Sequence, residues 1–258
     1  GVQLFERTTR STRLTWAGQV FLDEAHRVLS TLKQAIASTQ AAAAGYRGTL
    51  RIALSDGIPP PRLVALLARH REEEPEVEIR LFETTLAQQV KGLSSGLYDA
   101  GLAHAAAVDE GLISEPVWTD PLVIAVPARH PLLVHKRIPL EELARYPLVL
   151  CHPEGCEGGH RQFERIFRTA DVQPIVAEHV TTFDLMMTLV AAGYGLGFAN
   201  KSHMTVCHYP EVVIRPLAGR PLMLTTYLLR PETEPSEPLS RFMARAIPVK
   251  NMDSHDPA

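Results

Sequence analysis

Long apolar runs are missing from these 258 residues. No stretch reaches the roughly 18 uninterrupted apolar residues that a membrane-spanning helix needs, and the charged opening carries no apolar segment of the kind that marks a secretory signal. Cysteine is scarce as well. Cys151, Cys156 and Cys207 are odd in number and do not suggest a disulfide framework, which fits a reducing, cytoplasmic setting. An excess of basic charge is also absent. The formal net charge is −3, whereas a nucleic-acid binder taken whole tends to be strongly basic. Proline and glycine are absent from residues 19 to 44, so nothing there breaks a helix. No metal or cofactor motif stands out.

What is present is the composition of a globular protein, 45% hydrophobic and 21% charged, long enough for one large or two modest domains. The charge is unevenly placed. The first thirteen residues hold Arg7, Arg10 and Arg13 against a single Glu6, while residues 72–83 are acidic. That asymmetry suggests a small basic contact region on a larger neutral or acidic body. The chain opens on Gly1 rather than Met, and the native start is expected upstream.

Thr15 is placed to cap a helix that runs to about Ala44 and is rich in Ala, Leu, Gln and Lys. Leu22, Ala25, Leu29, Leu32 and Ile36 recur at alternating steps of three and four, the narrow seam of a coiled coil. A helix of about 30 residues spans roughly 45 Å, so it reads as a dimerisation rod; a long helix packed within one chain is the alternative. Gly45 and Gly48 then break the pattern. Strands are expected at 49–54, 77–82, 100–103, 148–151, 175–178 and 196–199. Helices are expected at 62–71, 86–93, 161–169, 183–192 and 239–246. The alternation reads as two similar α/β halves with parallel-dominated sheets. Two extended segments, 122–126 and 222–229, join them across a cleft that strand ends face.

Several motifs together resemble the LysR-type transcriptional regulators. They are Gly1-Val2-Gln3-Leu4-Phe5-Glu6-Arg7, then Arg13-Leu14-Thr15-Trp16-Ala17-Gly18, Gly48-Thr49-Leu50-Arg51-Ile52, residues 96–102 (GLYDAGL) and residues 190–197 (VAAGYGLG), in that order. The resemblance implies the remnant of a winged helix-turn-helix over 1–14 and a dimerising linker helix over 15–45. It also implies a two-lobed domain of type 2 periplasmic-binding-protein fold, with lobe I at 48–121 plus 227–250 and lobe II at 122–226. Promoter DNA, a small-molecule effector and a homodimer, or a homotetramer built from dimers, are the implied partners. The helix-turn-helix expected ahead of Gly1 is not in this sequence.

Within that frame Arg7, Arg10, Thr12 and Arg13 suit phosphate oxygens; a solvated basic loop is the plainer reading. Ser55, Asp56, Gly57 and Ile58 follow the first strand, and Thr84 and Thr85 the second. Thr85 and Gln88 form a capping-box spacing, so Thr85 either caps its helix or also faces the cleft. His104 follows the third strand and, protonated, would pair with an anionic effector. A carboxylate at Asp56 would oppose that anion, or would order His104. Glu154, Cys156 and His160 lie in a glycine-rich loop whose Cys-His-x3-Cys-x3-His spacing lacks the cysteine pairing of structural zinc sites. Phe183 follows Thr181, which makes another cap-like pattern with Asp184. Gly193, Gly195 and Gly197 leave a helix and enter a strand, the reverse of a dinucleotide loop.

The expected function is a DNA-binding regulator controlled by a small carboxylate co-inducer. A transporter's solute-binding protein is the alternative on the same fold, and a catalytic role with Cys156 and His160 finds no third orienting group.

Overall fold

The computed structural model describes residues 1–7, 11–55, 57–58, 60–105, 110–169 and 171–247. Arg10 and Asp56, both expected to contact a partner, lie outside them.

The chain begins with an antiparallel hairpin of β1 (Phe5–Arg7) and β2 (Thr12–Leu14). It then enters α1 (Trp16–Ala43), where Thr15 Oγ1 accepts from the Gly18 amide at 2.9 Å. Gly18 is needed at this spot, because a Cβ there would collide with the Leu4 carbonyl oxygen. The hairpin is therefore seated directly on the first turn of the helix.

Two α/β halves follow. The first holds β3 (Gly48–Leu54), α2 (Pro60–Glu73), β4 (Val77–Glu83), α3 (Leu86–Ser94) and β5 (Ala100–Ala103). The chain then crosses on β6 (Leu112–Pro127) and passes a 3-10 turn (Pro131–Val134) and the short α4 (Leu140–Leu143). The second half holds β7 (Pro147–Cys151), α5 (Glu157–Thr169), β8 (Ile175–Val180), α6 (Phe183–Ala191), β9 (Leu196–Asn200), α7 (Lys201–Met204) and β10 (Val212–Pro216). The return is on β11 (Met223–Pro231), and α8 (Glu237–Ala246) packs back on the first half.

The sheet order is β4-β3-β5-β11-β6-β9-β7-β8, with β10 added on β6. Pairing is parallel at both outer ends and antiparallel wherever β6 or β11 takes part. The expected parallel sheets are thus present in each half, while the joining strands run against them. Lobe I is filled by Leu50, Ile52, Leu66, Trp118, Leu228 and Phe242, lobe II by Ile124, Leu148, Leu150, Phe167, Leu196 and Phe198. A third group under α6, including Met186, Met187 and Val190, covers the other face of lobe II.

β6 is longer than the expected 122–126. Pro116 and Pro121 interrupt the apolar alternation on which a strand reading depends, yet both pair with β11. α5 also begins earlier than expected, at Glu157 rather than Arg161.

Lobe I is closed by an ionic seam. Arg241 and Arg245 on α8 both bond Glu74, the residue that follows α2, and Arg245 also reaches Glu73 at the end of α2 at 2.6 Å. Burial alone would raise the Glu74 pKa, but the bonds from Arg241 and Arg245 outweigh it and hold the group below its ordinary 4.5. A carboxylate depressed in the folded state adds stability above its unfolded pKa and loses it as pH falls through the folded value. Urea unfolding should therefore show stability dropping as pH falls below about 4.5, with a shallower drop in Glu74→Gln. Equal slopes in the two proteins would show that the seam contributes nothing.

Candidate functional site

Strand ends of both halves meet at one half-open cavity of about 110 Å³. From lobe I come Gly57, after β3, and His104, immediately after β5. Lobe II supplies Cys156 and Gly159 at the opening of α5, Phe163 one turn on, Phe183 at the start of α6, Asn200 at the end of β9 and His203 on α7. Leu122 and Leu224, from the two joining strands, form part of its wall. Gly159 admits the helix this close: a Cβ there would stand 2.8 Å from Cys156 Sγ and 3.7 Å from His104 Nδ1.

One side chain ties α5 to the crossing strand β11 and to lobe I. Gln162, buried on α5, donates from Nε2 to the His104 carbonyl at 2.5 Å and to the Thr225 carbonyl at 3.1 Å, and its Oε1 accepts from the Thr225 amide at 3.2 Å. β5 pairs with β11 only from Tyr227 onward. At Thr225 the carboxamide of a lobe II helix takes the place of the missing strand neighbour and satisfies partly buried backbone groups.

The cavity carries little charge. No Lys, Arg, Asp or Glu is among its described lining residues. His104 is 2% exposed, and burial pulls its pKa down to about 4, so it is neutral near pH 7. The expectation of a protonated His104 pairing an anion is corrected on that ground. Burial also lowers the His203 pKa, opposed in part by Asp184. His203 stacks on Phe183 at 4.1 Å between ring centroids. Behind them Tyr209 donates to Asp184 at 2.7 Å, and burial, reinforced by that bond, pushes its phenol up to about 12. An unpaired carboxylate taken into such a space loses several kcal/mol of hydration. A helix end returns about 0.3–2 kcal/mol, and the first turn of α5 already holds an anion, Glu157.

Of the expected effector residues, the cavity gathers Gly57, His104, Cys156 and Phe183. It does not gather the others. Ser55 is buried and donates to Gln89 at 2.9 Å, and Ile58 belongs to the lobe I core. Thr85 caps α3 through the Gln88 amide, and Thr84 donates to Gln88 Oε1 at 2.7 Å beside a recess between α1 and α3. Glu154 is exposed. His160 lines a larger and more open recess of about 640 Å³ on the outer side of α5, where it pairs with Glu164 at 3.4 Å. Asn200, His203 and Gln162 were not expected. Asn200 stands at the end of a strand, as the residues singled out near strand ends do, whereas nothing local marks Gln162. Arg7, Thr12 and Arg13 are exposed on the hairpin. Among the described residues no helix is long and apolar enough to cross a membrane.

Two α/β halves joined by a pair of crossing strands, with a cavity between them, define a two-lobed domain of the type 2 periplasmic-binding-protein kind. The chain belongs to the LysR-type transcriptional regulators, and residues 43–248 match the LysR substrate binding domain. It is similar to the transcriptional regulator YnfL of Escherichia coli (strain K12), 28% identical over 242 residues that cover 93% of this chain and 81% of the relative. It is also similar to the transcriptional regulator AlsR of Bacillus subtilis (strain 168), 29% identical over 78% of this chain and 67% of the relative. The fold matches that of CbnR, a LysR family transcriptional regulator, with a TM-score of 0.74 and 22% identity over 91% of this chain and 81% of that one.

Replacing Gln162 by Leu leaves the Thr225 amide and two carbonyls without this partner. Loss of about 1–3 kcal/mol of unfolding free energy is expected, with Gln162→Glu losing more because its carboxylate would face two carbonyl oxygens. Urea denaturation measures both, and an unchanged midpoint in Gln162→Leu would show that the latch is idle.

Proposed function

We propose that this chain is the sensing and dimerising part of a DNA-binding regulator, in which a small molecule bound between the lobes changes their relation. The change passes through α1 to promoter DNA. The lobes are assigned to 48–121 plus 227–250 and to 122–226, and α1 with its flanks, 15–45, to dimerisation. Residues 1–14, carrying Arg7, Arg10, Thr12 and Arg13, are assigned to the DNA side. Ligand binding acts by differential affinity for two lobe arrangements. A carboxylate co-inducer would have to rest on the amides that open α5 and α6, because the described cavity wall offers no cationic side chain. Catalysis forms no part of this reading, and a cytoplasmic location follows from contact with DNA.

One observation carries the regulator reading over that of a transporter's binding protein: a 28-residue helix with an uncovered apolar seam. Leu29, Leu32 and Ile36 are 54%, 56% and 51% exposed, and Leu22 and Ala25 continue the line half-buried. Covering a Leu or Ile side chain is worth about 1.5–3 kcal/mol, so a second copy of the seam is its natural partner and a tetramer of two such dimers the next level.

Light scattering on the chain should give at least twice the monomer mass. Leu29→Glu combined with Leu32→Glu should halve it while leaving the circular dichroism spectrum intact. A monomeric wild-type chain at micromolar concentration would sink the dimerisation assignment.

A further inference from the structure

The charge of the effector is open to the same physical reading, on the assumption that the cleft is the effector site. Three features of the cavity bear on it. Its described lining holds no ionised side chain, and His104 and His203 are both held toward their neutral forms by burial. Phe163, Phe183, Phe198, Leu122, Leu224 and Met186 give it an apolar wall. Asn200, 7% exposed and part of that wall, has an Oδ1 with no hydrogen-bond partner among the described residues.

Each feature selects against a different ligand. A bare carboxylate would be stripped of water with only the amides that open α5 and α6 to compensate and no cationic side chain among the described lining, which is less than the hydration it loses. A purely apolar molecule would leave the Asn200 oxygen buried and unsatisfied. A ligand much larger than one substituted ring would exceed the cavity's volume of about 110 Å³ and force the lobes apart, straining the Gln162 bond to the His104 carbonyl. What remains is narrow. We infer that the effector is an uncharged, single-ring molecule carrying a hydrogen-bond donor, such as a primary amide, with the donor on Asn200 Oδ1 and the ring among the phenylalanines. This departs from the carboxylate that the sequence suggested.

Two acid and amide pairs on matched skeletons test it: benzoate with benzamide, and salicylate with salicylamide. Each is titrated calorimetrically into the 258-residue chain at neutral pH. The amides should bind at least about tenfold more tightly than their acids. Asn200→Leu should weaken the amides, while Asn200→Asp, which keeps an acceptor and adds negative charge, should retain amide binding and weaken the acids further. If Asn200→Leu does not fold, the Asp variant alone carries the comparison.

Acids binding as tightly as amides, or more tightly, would overturn the uncharged class and leave the cleft as the effector site. Amide binding unchanged in Asn200→Leu would overturn the placement on Asn200. No binding by any of the four at millimolar concentration would also overturn the proposal. The cleft reading itself is decided separately, by whether any member of a wider panel of acids, aromatics and amines stabilises wild type and not Asn200→Leu.

Discussion

The pairing of β6 with β11 is the constraint on which the rest of the molecule depends. These two antiparallel strands are in register from Leu112 with Pro231 to Pro121 with Met223, with one shift near Thr226. The chain passes between the lobes along them, and each lobe builds its own parallel sheet outward from their edges. Because the crossing strands are shared, the strand ends of both lobes are aimed at one place. The cavity lies there because the topology leaves no strand to continue beyond it.

Where the ladder stops, a side chain substitutes for it. β5 ends at Ala103, and the edge of β11 would be bare at Thr225 without the carboxamide of Gln162. Of the three hydrogen bonds of Gln162, the one to the His104 carbonyl reaches lobe I and the two to Thr225 fix α5 to the crossing strand β11. Hydrogen bonds of this kind are modest in net worth and directional, which suits a joint that a ligand of ordinary affinity must be able to bias. The same joint brings Gly159 against His104 and leaves a space lined by rings and neutral imidazoles. The chemistry of the cavity is thus a consequence of how the lobes are held.

Much of the fold was legible because its signals are local. Thr15 as a cap, the unbroken run to Ala43 and the alternation of short apolar strands with helices gave α1 and most of both lobes. Elements that were not foreseen are those whose stability is supplied from elsewhere: the proline-bearing first half of β6, the short α7, and β10, which exists by pairing with residues 123–127. The site was legible in part. A rule that reads strand ends as cleft-facing found Gly57 and His104, and applied to β9 it would have found Asn200. It also selected Ser55 and Thr85, whose side chains are taken up by Gln89 and by the cap of α3. The charge state of His104 could not be read from its neighbours in sequence, since it depends on burial by groups contributed from both lobes. Gln162 sits mid-helix among charged residues and acquires its role only through tertiary contact.

The central claim is that Gln162 fixes α5 to the crossing strand β11, and through the His104 carbonyl to lobe I, beside a cavity with no ionised side chain among its described lining. Amide hydrogen exchange at Thr225 tests it most directly, because that N–H donates to the Gln162 side chain and no other partner for it is described. The account predicts protection at Thr225 comparable to that of the amides in the β6–β11 ladder beside it. Exchange there as fast as in exposed loops, with the ladder itself protected, would contradict the latch.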